Sequence, residues 1–235
     1  MESKRFLKEK FKKVIEILSE PFYTYFGDEG VIYDEFPLEE IESSWCSGCT
    51  KVCVVEDNVV FKTSFRGYVY DFDDEKNDYY DEPIIERWNT DYCKLEFDVY
   101  VEALTAGLGK FFAKTIQVSP YVYAQEKCEI DLCNLICSNE KRDFKKSSLE
   151  DKELEDYIKS KGLSSLSISL GLTAMSFLIA QYDIDDLYEL EKFIDDYDIN
   201  DLHSSNMGFF NGKLKFFDFS GYNSDTFELL KNKTA

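Results

Sequence analysis

The segment FFNGKLKFF, residues 209–217, constrains the fold more than any other short stretch of the chain. Asn-Gly is the strongest short-range signal for a two-residue β-hairpin turn, because this turn needs positive φ angles. Asp201 and Asn206 precede the predicted hairpin, and Asp218 ends its second strand. The hairpin therefore folds Asp218 back towards Asn206. Carboxylate and amide oxygens in one cleft suit a Mg²⁺ ion that also contacts nucleotide phosphates.

The first half of the chain predicts a helix packed against an antiparallel sheet. Residues 4–18 carry apolar residues at helical spacing, which indicates an amphipathic helix ending before Pro21. In KVCVVEDNVVFKTSF, β-branched runs flank Asp57 and Asn58, which predicts a second hairpin. The other predicted elements of this half are a charged loop at residues 70–83, a helix from Arg87 to Lys110, and two strands within residues 111–126 that meet at Ser119-Pro120.

Beyond Glu126 the pattern becomes helical. The segments SSLEDKELEDYIKS, SSLSISLGLTAMSFLIAQ and IDDLYELEKFIDDY predict a capped helix, a buried helix and an acidic amphipathic helix. Residues 128–137 fit neither period clearly. We therefore expect an α+β protein with two domains: residues 1–127, with an N-terminal helix, an antiparallel sheet and one long helix, and residues 128–235, helical apart from the hairpin.

The charge of the chain limits its partners. Its 235 residues carry a formal net charge of −20, and 44% of them are hydrophobic. The apolar content predicts a folded chain, and the absence of a basic excess excludes direct nucleic-acid binding as the simplest function. Such an acidic surface attracts basic proteins or cationic small molecules. A surface that mimics the charge of DNA and captures a nucleic-acid-binding protein is the alternative interpretation.

Cysteine usage and the apolar runs indicate an intracellular, cytoplasmic protein. Seven cysteines are an odd number, and the N-terminal MESKRFLKEKFKK lacks the apolar core of a signal peptide. Serines and a threonine interrupt the longest apolar run, Ile168 to Ala180, which predicts that it does not span a membrane. Cys46 and Cys49 form a CxxC, but the later cysteines lack the spacing of a zinc site, so reduced thiols are favoured.

DLHSSN at residues 201–206, followed after the hairpin by DFSG at residues 218–221, resembles the catalytic loop and metal-binding motif of the protein-kinase-like fold. This fold includes protein kinases and the aminoglycoside and choline phosphotransferases. By this resemblance Asp201 is the catalytic base, and Asn206 and Asp218 hold Mg²⁺ against the phosphates of ATP. His203, the only histidine, stands where many relatives carry a phosphate-facing residue.

The same resemblance implies cofactor-binding residues in the first half. Lys62, at the end of NVVFK, is the expected phosphate-binding lysine, and Glu96 is its expected helix partner, with Glu102 as the alternative. Gly48, in WCSGCTKV, stands for the glycine-rich phosphate loop, and YAQEKCE is similar to a hinge between lobes. The implied fold has a small antiparallel-sheet N-lobe and a mostly helical, truncated C-lobe.

The resemblance implies an ATP- and Mg²⁺-dependent phosphotransferase that acts on a hydroxyl of a protein or small molecule. Ile199 occupies the position where the family usually has a histidine before the base. Two alternatives therefore stay open: a catalytically weak pseudokinase, and an acidic, DNA-mimic-like protein that inhibits a basic, nucleic-acid-binding partner. The short length is compatible with a phage or mobile-element origin.

Overall fold

The structure, a computed structural model, describes residues 2–20, 24–27, 30–32, 41–47, 51–64, 69–70, 72–73, 75, 78–79, 91–129, 151–199 and 201–219. By its internal contacts the chain divides into two compact units. Unit 1 consists of Met1–Phe97 and Thr115–Glu126, and unit 2 of Asp98–Lys114 and Lys127–Ala235. The chain therefore passes between the units after Phe97, Lys114 and Glu126, and the last of these lies beside the boundary predicted from the sequence.

Residues 98–114 group with unit 2, whereas the sequence-based boundary places them in the first domain. The physical reason is their pairing with the second hairpin strand. The Ala113 backbone N–H donates to the Phe216 carbonyl over 2.7 Å. The ring of Phe112 lies 5.6 Å from that of Phe216 and 5.0 Å from that of Phe219, measured between centroids.

Helices and strands occur in separate groups along the described residues, in an α+β arrangement. The helices are α1 (Lys4–Lys10), α2 (Lys12–Ser19), α3 (Tyr92–Thr105), α4 (Asp151–Ser160), α5 (Ser164–Gln181) and α6 (Ile184–Asp196). The strands are β1 (Thr24–Gly27), β2 (Gly30–Ile32), β3 (Trp45–Ser47), β4 (Lys51–Glu56), β5 (Val59–Ser64), β6 (Val69–Tyr70), β7 (Phe72–Asp73), β8 (Asp78–Tyr79), β9 (Thr115–Gln117), β10 (Tyr123–Glu126), β11 (Met207–Phe210) and β12 (Lys213–Phe216).

Unit 1 contains a five-stranded sheet in the order β3-β4-β5-β10-β9, with every neighbouring pair antiparallel. Helices α1 and α2 bury their apolar residues, among them Leu7 and Leu18, in one core with residues of this sheet. The rings of Phe11 and Phe61 meet there with centroids 5.2 Å apart. The predicted N-terminal helix is confirmed, with an interruption at Phe11, whose ψ of 32° leaves the helical range.

The predicted hairpin at Asp57-Asn58 is also confirmed, with Glu56 facing Val59 across a two-residue turn. Asp57 has a φ of 50°, a conformation that Asp adopts more readily than β-branched residues. The two strands predicted around Ser119-Pro120 are β9 and β10, which pair antiparallel. The local turn signals of this sheet were therefore sufficient to predict the β4–β5 and β9–β10 pairs, whereas the pairing of β3 with β4 was not predicted.

Two predictions in this half are wrong. Helix α3 as described begins at Tyr92, where the Asp91 carboxylate caps it by accepting from the Lys94 backbone N–H over 3.0 Å, and the predicted start near Arg87 lies outside the described residues. The helix ends at Thr105 and not at Lys110, since Gly107 has a φ of 77° and leaves the helix. The charged stretch at residues 70–83, predicted as a loop, contains the paired strands β7 and β8.

In unit 2 the three helices predicted after residue 146 are present as α4, α5 and α6. Gly171 interrupts α5 with a φ of 78° and a ψ of 163°. The buried Glu191 side chain of α6 accepts a hydrogen bond from the Leu166 backbone N–H over 2.9 Å, which satisfies a donor in the first turn of α5. The predicted hairpin is present as β11 and β12, with Asn211 and Gly212 at φ angles of 51° and 76°.

Among the described residues, one helix, α5, is long and apolar enough to span a membrane by length and composition. This is weak evidence, since core helices of soluble proteins pass the same test. Leu170, Met175 and Leu178 of this helix are buried inside the protein. Ile168, however, is 86% exposed, so the prediction of a buried helix is wrong for one side of α5.

Candidate functional site

A buried ion pair joins Lys62 in β5 to Glu96 in α3. The Lys62 Nζ lies 2.8 Å from Glu96 Oε1, and the two residues are only 3% and 2% exposed. Glu102, the alternative partner, instead accepts a hydrogen bond from the Tyr197 hydroxyl over 2.9 Å. Of the two glutamates considered from the sequence, Glu96 is therefore the one that the structure brings to Lys62.

The register of the sheet explains how Lys62 reaches this position. Cys53 faces Lys62 across β4 and β5, and residues two apart along a strand share a face. Lys51, Cys53 and Lys62 therefore lie on the face opposite to Phe61 and the apolar core. Glu96 projects from α3 to this polar face.

Sequence reasoning missed a second lysine at the same carboxylate. The Lys51 Nζ lies 2.7 Å from Glu96 Oε2, and Lys51 is as buried as Lys62. A signal for it was available, because a two-residue turn at Asp57-Asn58 places Lys51 diagonally opposite Lys62 on one face of the hairpin. We refer to Lys51, Lys62 and Glu96 as the lysine–glutamate cluster.

Gln125 in β10 supports this cluster and was also missed. Its side-chain amide donates to Glu96 Oε1 and to the Thr115 hydroxyl, each over 3.0 Å. Gln125 and Thr115 face each other across β10 and β9, and both are buried. The Glu96 carboxylate is thus tied to three strands of the sheet, which fixes its orientation.

Three thiols lie near the cluster, and two of them have raised pKa values. Burial raises the pKa of Cys93 to about 12. The pKa of Cys53 is raised well above its ordinary value, mainly by a hydrogen bond with Cys46 and secondly by burial. The positive charges of Lys62 and Lys51 oppose this shift. Both thiols are therefore protonated at neutral pH, which is unfavourable for a cysteine nucleophile or a zinc ligand. Cys46, Cys53, Cys93 and Cys128 are not part of disulfides.

In unit 2 the predicted catalytic loop contains a short 3-10 turn at Ser204–Asn206. Asp201 is half-buried and His203 is exposed, and His203 Nε2 lies 3.5 Å from Asp201 Oδ1. The Asn206 backbone N–H donates to the His203 carbonyl over 2.9 Å and closes the turn. The Asp201 carboxylate thus remains accessible to solvent on a locally ordered loop.

The hairpin brings Asp218 to Asn206, as the turn at Asn211 predicts. The Asn206 carbonyl accepts from the backbone N–H of Phe217 over 3.0 Å and of Asp218 over 3.4 Å. The Asn206 side-chain amide donates to the Asp201 carbonyl over 2.8 Å. Backbone and side-chain hydrogen bonds of one asparagine therefore connect the base predicted from the sequence to the aspartate predicted to bind metal.

The side chains predicted to bind Mg²⁺, Asn206 and Asp218, both contain oxygen atoms of the kind that this ion binds. The Asn206 side-chain nitrogen donates to the Asp201 carbonyl, so the oxygen is the part of this amide that a metal could use, and Asp218 is half-buried. Mg²⁺ at a nucleotide site takes one or two protein carboxylates and completes its shell with phosphates and water. Within the described parts of the chain, no three His, Cys, Asp or Glu side chains form a metal site by themselves.

Gly48, predicted to contact phosphates, lies outside the described residues, as do Ser220 and Gly221 of the DFSG motif. The structure thus describes two separate groups of candidate residues, the lysine–glutamate cluster in unit 1 and the loop and hairpin residues in unit 2. Ile199, which precedes the loop, is 4% exposed and belongs to the core of unit 2.

A cavity of about 530 Å³ in unit 2 contains none of the predicted site residues. Two of its lysines have structural partners: Lys110 pairs with Asp186, and Lys213 donates to the Gln181 carbonyl over 3.0 Å. The cavity is lined by Lys110, Gln181, Tyr182, Asp183, Asp186, Phe210, Asn211, Lys213 and Lys215.

No protein-family model matches this chain. Comparisons with curated proteins and with solved structures also give no match. The function must therefore be argued from the residues of the chain and their geometry.

Proposed function

We propose that this protein is a kinase-like, ATP- and Mg²⁺-dependent phosphotransferase with a two-lobe fold, which transfers a phosphoryl group to a hydroxyl of a protein or small molecule. The observation that carries the proposal is the buried ion pair of Lys62 and Glu96. Burying charged groups is costly and contributes little net stability, so a buried lysine held by one carboxylate is a candidate for function.

The residues of unit 2 support the proposal from a separate part of the sequence. Asp201 has the exposure that a base needs to accept a proton from a substrate hydroxyl. Asn206 fixes the loop through its bond to the Asp201 carbonyl, and its amide oxygen would serve as a ligand. Asp218 would share the metal with Asn206, while Lys62 would contact the phosphates and Glu96 would orient Lys62. ATP and Mg²⁺, when bound, supply the phosphoryl group and neutralise its charge.

Binding and transfer can be tested separately with substitutions in each unit. We expect ATP with Mg²⁺ to raise the melting temperature of the wild type, and Lys62→Met and Asp218→Asn to abolish this rise. Lys94→Met is a matched control, because Lys94 is exposed on the helix that carries Glu96. If millimolar ATP with Mg²⁺ leaves the wild-type melting temperature unchanged, the proposal fails.

Transfer should be assayed with labelled ATP against basic proteins and cationic, hydroxyl-bearing small molecules, since the acidic surface attracts these acceptors. Asp201→Asn should reduce transfer at least about a hundredfold while retaining ATP binding, as expected for loss of a general base. Asp198→Asn is the matched control, because Asp198 is exposed and its φ of 47° suits asparagine. ATP binding without transfer to any acceptor would instead indicate a pseudokinase.

A second candidate function follows from the net charge of −20. An acidic protein of this kind could inhibit a basic, nucleic-acid-binding partner by occupying its nucleic-acid site. Salt-sensitive capture of such a partner that is unchanged by Lys62→Met and Asp201→Asn would favour this function. A cytoplasmic location suits either candidate, since free thiols such as Cys46 and Cys53 persist in a reducing compartment.

A further inference from the structure

Two cysteines face each other on neighbouring strands of the five-stranded sheet in unit 1. Cys46 in β3 and Cys53 in β4 are directly opposite in the antiparallel register. Directly opposite residues have Cα atoms about 4.5–5.5 Å apart, and their side chains lie on the same face. A disulfide needs Cα atoms about 4.4–6.8 Å apart. The register therefore holds the two cysteines at a separation that a disulfide can span.

The two thiols already interact. They share a hydrogen bond, which is the largest cause of the raised pKa of Cys53. Among the described strands of this sheet, β3 is outermost and pairs with β4 alone. A short outer strand that is held on one side can make the small movement that brings two hydrogen-bonded sulfur atoms to a bond length of about 2.05 Å.

Exposure distinguishes Cys46 from the other described thiols. Cys46 is exposed and Cys53 is half-buried, whereas Cys93 and Cys128 are only 2% and 6% exposed. Oxidation of a thiol depends on its access to solvent, and cysteines that respond to oxidants often have a second cysteine beside them that completes a disulfide. An oxidant in solution therefore reaches Cys46 first, and Cys53 is the thiol placed to react with the product.

We propose that Cys46 and Cys53 are an oxidation site, at which hydrogen peroxide produces a reversible disulfide between β3 and β4. The ionised Cys46 sulfur attacks one peroxide oxygen, the O–O bond breaks, and the released hydroxide takes up a proton and leaves as water. The Cys53 sulfur then attacks the sulfur of the Cys46 sulfenic acid, the S–O bond breaks, and the leaving hydroxide takes the Cys53 proton as a second water. Two thiols are oxidised, and one peroxide is reduced to two waters. This inference goes beyond the proposed function and does not depend on it.

The neighbouring lysines favour the second step. Cys53 also faces Lys62 across β4 and β5. The positive charges of Lys62 and Lys51 act to lower the pKa of Cys53, against the larger effects of Cys46 and burial, and so assist the loss of its proton. Disulfides in reducing compartments are usually transient, so dithiothreitol should restore both thiols.

Mass spectrometry of the wild type is the direct test. After submillimolar hydrogen peroxide and alkylation of the remaining thiols, trypsin cleaves after Lys51 and separates Cys53 from Cys46. We expect a pair of peptides joined through these cysteines, with a mass about 2 Da below the sum of the two peptides, and dithiothreitol should split it. If peroxide yields no such pair, or converts Cys46 only to a sulfinic acid, the inference is overturned.

Cys49 is the rival partner, because it stands three residues after Cys46 in the sequence and lies outside the described residues. Cys49→Ser should form the link between Cys46 and Cys53 as fast as the wild type. In that background, Cys53→Ser should increase dimedone labelling of the Cys46 sulfenic acid several-fold, because no thiol opposite Cys46 consumes it. A wild-type disulfide between Cys46 and Cys49 instead, or equal dimedone labelling with and without Cys53, overturns the inference.

The unfolded chain provides the remaining control. In urea the strand register is lost, so the share of disulfide that joins Cys46 to Cys53 should fall as other pairs form. An unchanged share in urea would show that the sheet does not select this pair, and it would contradict the inference.

Discussion

Replacing Glu96 with glutamine should destabilise unit 1 far more than the same change at the surface. The carboxylate is buried and accepts hydrogen bonds from Lys51, Lys62 and Gln125 over 2.7, 2.8 and 3.0 Å. Glutamine has nearly the same shape, but it carries no charge and has only one acceptor oxygen. Both lysines then lose their bond to a buried carboxylate.

The size of this loss of stability follows from the burial of Glu96 and its two lysines. Breaking a buried ion pair by removing one partner costs about 3–5 kcal/mol, whereas an exposed pair contributes about 0–1 kcal/mol. We therefore expect Glu96→Gln to lower the free energy of unfolding by about 3 kcal/mol or more. At roughly 2–4 °C per kcal/mol for a protein of this size, the melting temperature should fall by about 6–12 °C.

Fluorescence of Trp45 during urea unfolding, in a background with Trp88 replaced by phenylalanine, is the appropriate assay, because Trp45 lies in β3 of the sheet of unit 1. A probe confined to one unit avoids combining two transitions in one curve. Glu9→Gln is the matched control, since Glu9 pairs with Arg5 over 2.9 Å and its side chain is 66% exposed. If Glu96→Gln costs no more than Glu9→Gln, the reasoning about the buried cluster is wrong.

Three further predictions concern positions outside the cluster. Gly212→Ala should cost about 1 kcal/mol or more in urea unfolding, because Gly212 has a φ of 76°, and an unchanged midpoint would contradict the assigned turn. Glu191→Ala should cost about 1–3 kcal/mol by leaving the Leu166 N–H without its carboxylate, and it should reduce helical circular dichroism; equal stability would contradict that capping role. Cys93, with its pKa raised by burial to about 12, should resist alkylation by iodoacetamide at pH 9 in the native protein, because only about one thousandth of it is thiolate there, while exposed Cys46 reacts. Mass spectrometry after digestion measures the rate at which Cys93 is modified. A rate equal to that in the unfolded chain would contradict its burial.

The elements of the fold that depend on local signals were predictable from the sequence. Asn211-Gly212 and Asp57-Asn58 encode their turns through residues that accept positive φ angles, so both hairpins were placed correctly. The helical period of residues 4–18 predicted the N-terminal helix in the same way. The end of α3 was less predictable, because it depends on the positive φ of Gly107, which the apolar period does not reveal.

The candidate functional residues also differ in whether local sequence was enough to predict their contacts. In unit 2, Asp201, Asn206 and Asp218 lie within eighteen residues of one another. A single turn therefore determines that Asp218 returns to Asn206, and the sequence by itself was enough to predict it.

In unit 1 the decisive contacts join residues far apart in the chain, and only the tertiary structure decided them. Choosing Glu96 over Glu102 requires the orientation of α3 against the sheet, and Gln125 reaches the carboxylate only because β10 pairs with β5. Lys51 reaches Glu96 because the register of the β4–β5 hairpin places it beside Lys62, and because α3 packs on that face of the sheet. Turn residues encode local geometry in a few dihedral angles, whereas such contacts depend on how separate elements pack, which no short segment of sequence specifies.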